Sequence, residues 1–259
     1  NDMIFETHAH YDDEAFDADR EELLDSMRES GIGRIVNACA SVESLKETAA
    51  LMEKYPFVYG AFGIHPDDAD KMTEETLEEI RKLCQLPKAV AVGEIGLDYY
   101  WHKEEEEHEI QKKMFRAQMK IAREEKMPFM IHSREAAKDT LDIVREFMKD
   151  GMYGGIIHCF SYAKEMAREY LDMGLYLGIG GVVTFKNAKK LKEVVEYAPL
   201  SQIVLETDSP YLSPEPNRGK RNDSRNLVFV AQGIAQIKGI TEEEVIAVTE
   251  QNAERLLLR

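Results

Sequence analysis

Five of the seven histidines stand where an apolar stretch gives way to polar residues. His8 and His10 close the first such stretch, in THAH. His65 follows the third, in GIHP, and His132 and His158 sit in PFMIHS and GGIIHCF. Two carboxylates occupy matching places, Glu94 in AVAVGEIG and Asp208 in QIVLETD. Imidazoles and carboxylates are the donor set of zinc-like and other divalent ions, which polarise ester bonds and activate water. The spacing inside THAH fits this chemistry. Side chains alternate along a strand, so His8 and His10 share one face while Thr7 and Ala9 point to the other. The same alternation turns Cys159 away from His158 and Ser133 away from His132, so neither neighbour is expected to be a ligand. Taken singly, each histidine is as readily a hydrogen-bonded structural group, Glu94 a buried carboxylate with a basic partner, and Asp208 a turn cap before Pro210. Their joint placement at strand ends points to a metal centre. His102 and His108 fall apart from the set, in HKEEEEHE, which reads as a solvated helix start.

The elements that must position these residues alternate in type. Strand-like segments are MIFETHA, RIVNACA, FVYGAFGIH, AVAVGEIG, PFMIHS, GGIIHCF, LYLGIGG and QIVLETD. Charged amphipathic stretches separate them, among them DREELLDSMRES, TLEEIRKLCQ and AAKDTLDIVREFMKDG. About eight strand-then-helix repeats in 259 residues predict an α/β chain of the TIM (β/α)8 barrel class, a single domain over 1–259 with no linker. A doubly wound open sheet is the alternative, but no GxGxxG turn follows the first strand, which counts against a dinucleotide-binding version. In a barrel all strand C-termini open on one face, so the seven residues would converge there. The long polar stretch Ser209–Asn226, SPYLSPEPNRGKRNDSRN, follows the eighth strand and is expected to be a functional loop.

Composition narrows the classes. A hydrophobic content of 44% suffices for a full core. No apolar run reaches roughly 18 residues, so no membrane span is expected. The opening NDMIFETHAH lacks the basic and apolar regions of a secretory leader. Cys39, Cys84 and Cys159 show no CxxC spacing, and a reducing, cytoplasmic setting is expected. The net charge of -16 argues against a protein that coats nucleic acid by bulk attraction. It does not exclude an enzyme that meets phosphates through bound cations. No helix-turn-helix, zinc-finger or RNA-recognition signature is present, and nothing in the sequence requires more than a monomer.

Read in order, the segments resemble the TatD family of metal-dependent deoxyribonucleases, nearly end to end. The resemblance is carried by THAH, GIHP, GEIGLDYY with Glu94 and Asp98, and the helix with Gln111, Phe115 and Gln118. It continues through MPFMIHSREA with His132 and Arg134, HCFS with His158, ETDSPYL with Glu206 and Asp208, and RGKRN. Three departures stand out: Glu6 where an Asp is usual, Tyr162 where Gly is frequent, and NDSRN in place of N-x-P-x-N. The resemblance implies two divalent metal ions, with zinc, manganese, nickel, cobalt and magnesium all open. One would be held by His8, His10 and Asp208, the other by His132 and His158, and Glu94 would bridge them. It implies a phosphodiesterase acting on DNA or a short oligonucleotide with a metal-activated water, Asp208 taking the proton and Glu94 sharing the ions. Glu206 would orient ligands or act as a structural carboxylate.

His65, Arg134 and Arg218 are the candidate substrate contacts. Arg218, Lys220, Arg221 and Arg225 are expected to make, with Arg134, a positive cleft on a negative body. Tyr99, Tyr100 and Trp101 offer stacking faces or rim packing. Two rivals remain. One is an amidohydrolase-like barrel acting on a small ester, amide or lactone; related barrels place a lysine where Glu94 stands. The other is a non-enzymatic barrel with a structural metal.

Overall fold

The computed structural model describes residues 2–258. Among these, strands and helices alternate as the sequence predicts. The strands are β1 Ile4–Ala9, β2 Ile32–Ala38, β3 Val58–Phe62, β4 Ala89–Asp98, β5 Phe129–Arg134, β6 Gly155–Ile157, β7 Tyr176–Ile179 and β8 Ile203–Leu205. The helices are α1 Arg20–Asp25, α2 Val42–Lys54, α3 Glu74–Leu83, α4 Glu105–Glu125, α5 Ala137–Met148, α6 Lys164–Asp172, α7 Lys189–Tyr197, α8 Leu227–Lys238 and α9 Glu242–Leu257. The strands form one sheet in chain order, β1 to β8. Neighbours such as β1 and β2, β4 and β5, and β7 and β8 run parallel. This is the expected α/β class, a (β/α)8 TIM-barrel fold. No helix among the described residues is long and apolar enough to cross a membrane.

The chain divides into two compact units. The first runs to Asn37 and resumes at Cys159, and the second spans Ala38–His158. In the first, every residue of β1 is buried, and β7 and β8 pair through Leu177–Ile203 and Ile179–Leu205. In the second, β4 is long and almost wholly buried. Its side chains read AVAVGEIGLD, so Glu94 and Asp98 are charges set within an apolar run. Helix α2 starts at Ser41, whose side chain accepts from the Ser44 N–H while Ser44 returns the bond. Helix α4 opens with Glu105, Glu106 and Glu107 in its first turn, where carboxylates suit the positive end of the helix.

Two glutamines of α4 fix the strand ends beside it. Gln118 accepts from the Ile64 N–H at 2.7 Å and donates to the Ile64 carbonyl at 3.2 Å. Gln111 treats Asp98 likewise, at 2.8 and 3.0 Å. Each buried amide satisfies a backbone donor and acceptor that would otherwise be orphaned where the strand stops.

Three strands are shorter than their apolar runs. β6, β7 and β8 stop at Ile157, Ile179 and Leu205. Beyond β6 and β8, Cys159 and Asp208 take positive φ values of 47° and 61°, which end the extended conformation. His158 therefore lies on a turn, and Asp208 lies in the irregular chain past β8, after Glu206 and Thr207. The turn, rather than strand alternation, sets the direction of His158 and separates it from Cys159.

Candidate metal centre

Donor groups gather in each unit. In the first, β1 ends with His8 and His10, both buried, their rings edge-to-face at 4.9 Å. The chain after β8 brings Asp208 to them. Its N–H donates to the His8 carbonyl at 2.9 Å, and the His10 N–H donates to the Ser209 carbonyl at 2.9 Å. Asp208 Oδ1 then lies 3.0 Å from His10 Nε2 and 3.5 Å from His8 Nε2. Two imidazole nitrogens thus converge on one carboxylate oxygen.

Glu6 anchors this arrangement from beneath. Its carboxylate accepts from the Thr207 N–H at 2.8 Å, the Thr207 hydroxyl at 2.7 Å, the Ser224 hydroxyl at 2.8 Å and the His8 N–H at 3.1 Å. Burial pushes its pKa up to about 7, even though these four donors favour the charged form. The departure noted at Glu6 is thus a staple between β1, the chain after β8 and the loop beyond. Glu206, also buried, accepts from the Cys159 N–H at 2.9 Å and so supports the turn after β6.

In the second unit the centre of the group is Glu94. Its Oε2 lies 3.0 Å from His132 Nδ1, 3.5 Å from His158 Nε2 and 3.7 Å from His65 Nε2. His132 is held on its other side by Asp98, 2.9 Å from Nε2 to Oδ2. Burial opposes a charge on His132, but its bonds to Asp98 and Glu94 and their negative charges prevail, and its pKa is raised to about 10. Burial and the neighbouring His132 instead push His65 down to about 4. His65 also caps the turn beyond β3, its Nδ1 accepting from the Asp67 N–H at 3.0 Å.

The donor chemistry fits divalent cations. Glu94, His132 and His158 place one ligand atom each within 4.8 Å of one another, as do His65, Asp98 and His132. Neutral imidazole nitrogen and carboxylate oxygen are the atoms that zinc, manganese and their neighbours take. The His132 ring is also held in orientation, because Asp98 gives it a fixed partner on the nitrogen away from Glu94.

The substrate candidates distribute differently from expectation. Arg134 ends β5, is exposed, and stacks its guanidinium 3.8 Å from the Tyr100 ring centroid. Arg218 stacks 3.6 Å from Phe185. The expected cleft of five cationic side chains is corrected. Arg221 forks onto Asp19 at 2.8 and 2.6 Å and lies over Phe16, while Arg225 bonds Asp223 at 2.9 Å. In so acidic a chain, long cations near a carboxylate are captured by it. Among the described residues, Arg134, Arg218 and Lys220 form no ion pair.

In the sequence Asp98, Gln111 and Gln118 stand only as motif members, and Glu6 only as a departure from the family pattern. Their signal was a charge or amide inside an apolar run or helix face, which burial obliges to find partners. His102 and His108 also do more than solvate a helix start. His102 joins Asp67 and Glu107, each at 2.9 Å, and His108 donates to the His102 carbonyl at 2.7 Å.

Comparison with known proteins agrees with this geometry. The family described as TatD related DNase matches residues 5–258. A metal-dependent hydrolase of Bacillus subtilis, YabD, is 44% identical over 98% of both chains. A protein of Citrobacter rodentium named 3'-5' ssDNA/RNA exonuclease TatD is 31% identical over 93% of this chain and 92% of its own. The crystal structure of YJJV, a TatD homolog from Escherichia coli K12, superposes with a TM-score of 0.91 at 27% identity, covering 99% of this chain and 98% of that one. The chain therefore belongs to the TatD family and is one of its metal-dependent hydrolases.

Proposed function

We propose that this hydrolase is a deoxyribonuclease, a single domain over 1–259 that cleaves phosphodiester bonds in DNA or short oligonucleotides. His8, His10 and Asp208 would hold one divalent ion, His132 and His158 a second, and Glu94 would be shared by both. Bound there, such ions supply the positive charge that polarises a phosphodiester and activates water at neutral pH. The observation that carries the reading is the surrounding of Glu94, where one buried carboxylate oxygen has three imidazoles within 3.7 Å. A carboxylate so placed can accept two cations, whereas a lysine there would offer a different bridge.

Asp208 is the proton acceptor. It is only partly buried and borders the His8–His10 pair, so one carboxylate oxygen can face solvent and substrate. His65, kept neutral by its surroundings, offers its Nε2 to the phosphate or leaving group. Arg134 and Arg218, free of ion pairs, supply charge-assisted contacts to phosphate oxygens. The exonuclease name of the 31% identical relative supports the nucleic-acid substrate. The free cysteines suit the reducing cytoplasm, where we place the protein.

The test is hydrolysis of single-stranded oligonucleotides against esters and lactones, across zinc, manganese, nickel, cobalt and magnesium. DNA cleavage is expected, with Asp208→Asn lowering turnover about 10²–10⁴-fold while the fold persists. Lactone turnover with DNA intact under every ion overturns the nuclease reading. Full activity in Asp208→Asn removes that residue from the chemistry.

A further inference from the structure

We propose that Trp101 is the stacking face for one base of the nucleic-acid substrate, with Arg134 holding the adjoining phosphate. This rests on the nuclease reading above and names the surface through which the strand is gripped.

Trp101 is the only tryptophan in the chain, and 67% of it is exposed. Core and rim packing do not account for so large an apolar ring left open to water. Its neighbour Tyr100 meets it edge-to-face, at 4.6 Å between centroids and 85°. On the Tyr100 ring lies the Arg134 guanidinium, 3.8 Å from that centroid and 5.9 Å from that of Trp101. The third aromatic of the run is withdrawn. Tyr99 donates its hydroxyl to Asp139 at 2.7 Å and stacks on His108 at 3.5 Å.

The platform is fixed to the candidate metal centre by one carboxylate. Asp98 Oδ1 accepts from the Tyr100 N–H at 3.0 Å and the Trp101 N–H at 3.4 Å, while Oδ2 faces His132 Nε2 at 2.9 Å. Arg134 stands two residues beyond His132 at the end of β5. A ring and a guanidinium plane held at set positions from the ligands are what an unpaired nucleotide needs. The base finds a π-face, and the phosphate finds a planar fork of donors. A base inside a duplex shows no free face, so the occupant is a single strand.

Two residues on, past Lys103, whose ammonium lies 5.4 Å from the Tyr100 centroid, comes the acidic run Glu104–Glu107. It repels a long polyanion, so the grip extends over about one phosphate and is carried mainly by stacking. Affinity should therefore be indifferent to base identity. Of the fall in its logarithm with the logarithm of salt, Arg134 should account for a slope of about -0.7, the value for one phosphate on a single strand.

The experiment uses the full chain and an uncleavable phosphorothioate oligothymidylate carrying a fluorescein label. Tryptophan emission reports from position 101 alone, and fluorescein anisotropy reports binding independently. We expect quenching that saturates with the anisotropy change. Trp101→Ala should weaken binding roughly 5- to 100-fold, with Trp101→Phe restoring most of it. Arg134→Gln should flatten the salt slope. If the oligonucleotide binds with tryptophan emission unchanged, and Trp101→Ala binds as tightly, the platform is wrong and the nuclease reading stands. If no oligonucleotide is bound or cleaved under any of the five ions, the nuclease reading falls and takes the platform with it. Quenching by duplex equal to that by single strand also overturns the inference.

Discussion

Replacing Asp98 by Asn should uncouple His132 from metal binding without removing a ligand. The carboxylate only accepts hydrogen bonds, so in the neutral ring it obliges His132 Nε2 to carry the proton. Nδ1, which faces Glu94 at 3.0 Å, is then free to present its lone pair to a cation. An asparagine must still accept from the Tyr100 and Trp101 N–H groups, so its oxygen takes the Oδ1 place. Its NH2 is left facing Nε2. Two donors cannot share that contact, so the ring moves its proton to Nδ1 and covers the lone pair. Loss of such an outer partner costs about 10- to 100-fold in metal affinity, or about 1.4–2.8 kcal/mol. The metal-free protein should also lose roughly 1.5–3 kcal/mol at neutral pH, the worth of a charge-assisted bond. The sign follows from the raised His132 pKa. Its contribution is full below about 6.5 and lost as pH rises through about 10. Calorimetric titration of manganese or zinc into stripped protein, with circular dichroism as the fold control, measures both effects. Wild-type affinity in a folded Asp98→Asn protein would refute the tautomer argument.

Two further outcomes follow from the buried and clamped groups. Glu6→Ala strands the backbone N–H groups of His8 and Thr207 in the interior; offset by removal of a desolvated carboxylate, the net loss should be about 2–4 kcal/mol, read as a lower denaturation midpoint, with Glu6→Gln milder. His102 is partly desolvated, which lowers its pKa, yet its bonds to Glu107 and Asp67 raise it on balance. Its clamp should therefore stabilise fully below about pH 6.5 and fade as pH rises through the raised value. Both carboxylates are half exposed, so solvent screens the clamp and its effect is small. Thermal melts of wild type and His102→Gln should differ by about 1–3 °C at pH 6 and converge by pH 9; a gap that widens with pH would contradict the clamp.

The alternation of strands and helices was legible because its cause is local. Period-two and period-3.6 patterns of apolar residues report which face each element buries. The histidine positions were legible for the same reason, since a polar residue at the end of an apolar run marks a strand's mouth. What escaped was set by partners distant in sequence or by backbone alone. Arg221 looked like a free cation because Asp19, 202 residues away, is invisible as its partner until the chain folds. The stop of β6 escaped because Cys159 adopts positive φ without being glycine, so no turn residue announced it.

Glu6 and Asp98 show where such reading can be sharpened. Both interrupt apolar runs, in MIFETHA and GEIGLDYY, and both are nearly inaccessible in the fold. A carboxylate cannot be buried alone without a cost of several kcal/mol, so each had to be spoken for by hydrogen bonds. What the strand pattern could not tell is whether the partner is a cation or a set of N–H and O–H donors. Glu6 takes only protein donors, and burial raises its pKa with no opposite charge beside it. Asp98 takes two backbone N–H groups and an imidazole, and its pKa is lowered by His132 despite burial. The first therefore stabilises the chain, whereas the second aims the imidazole proposed as a ligand. That difference separates a structural carboxylate from one that serves the chemistry.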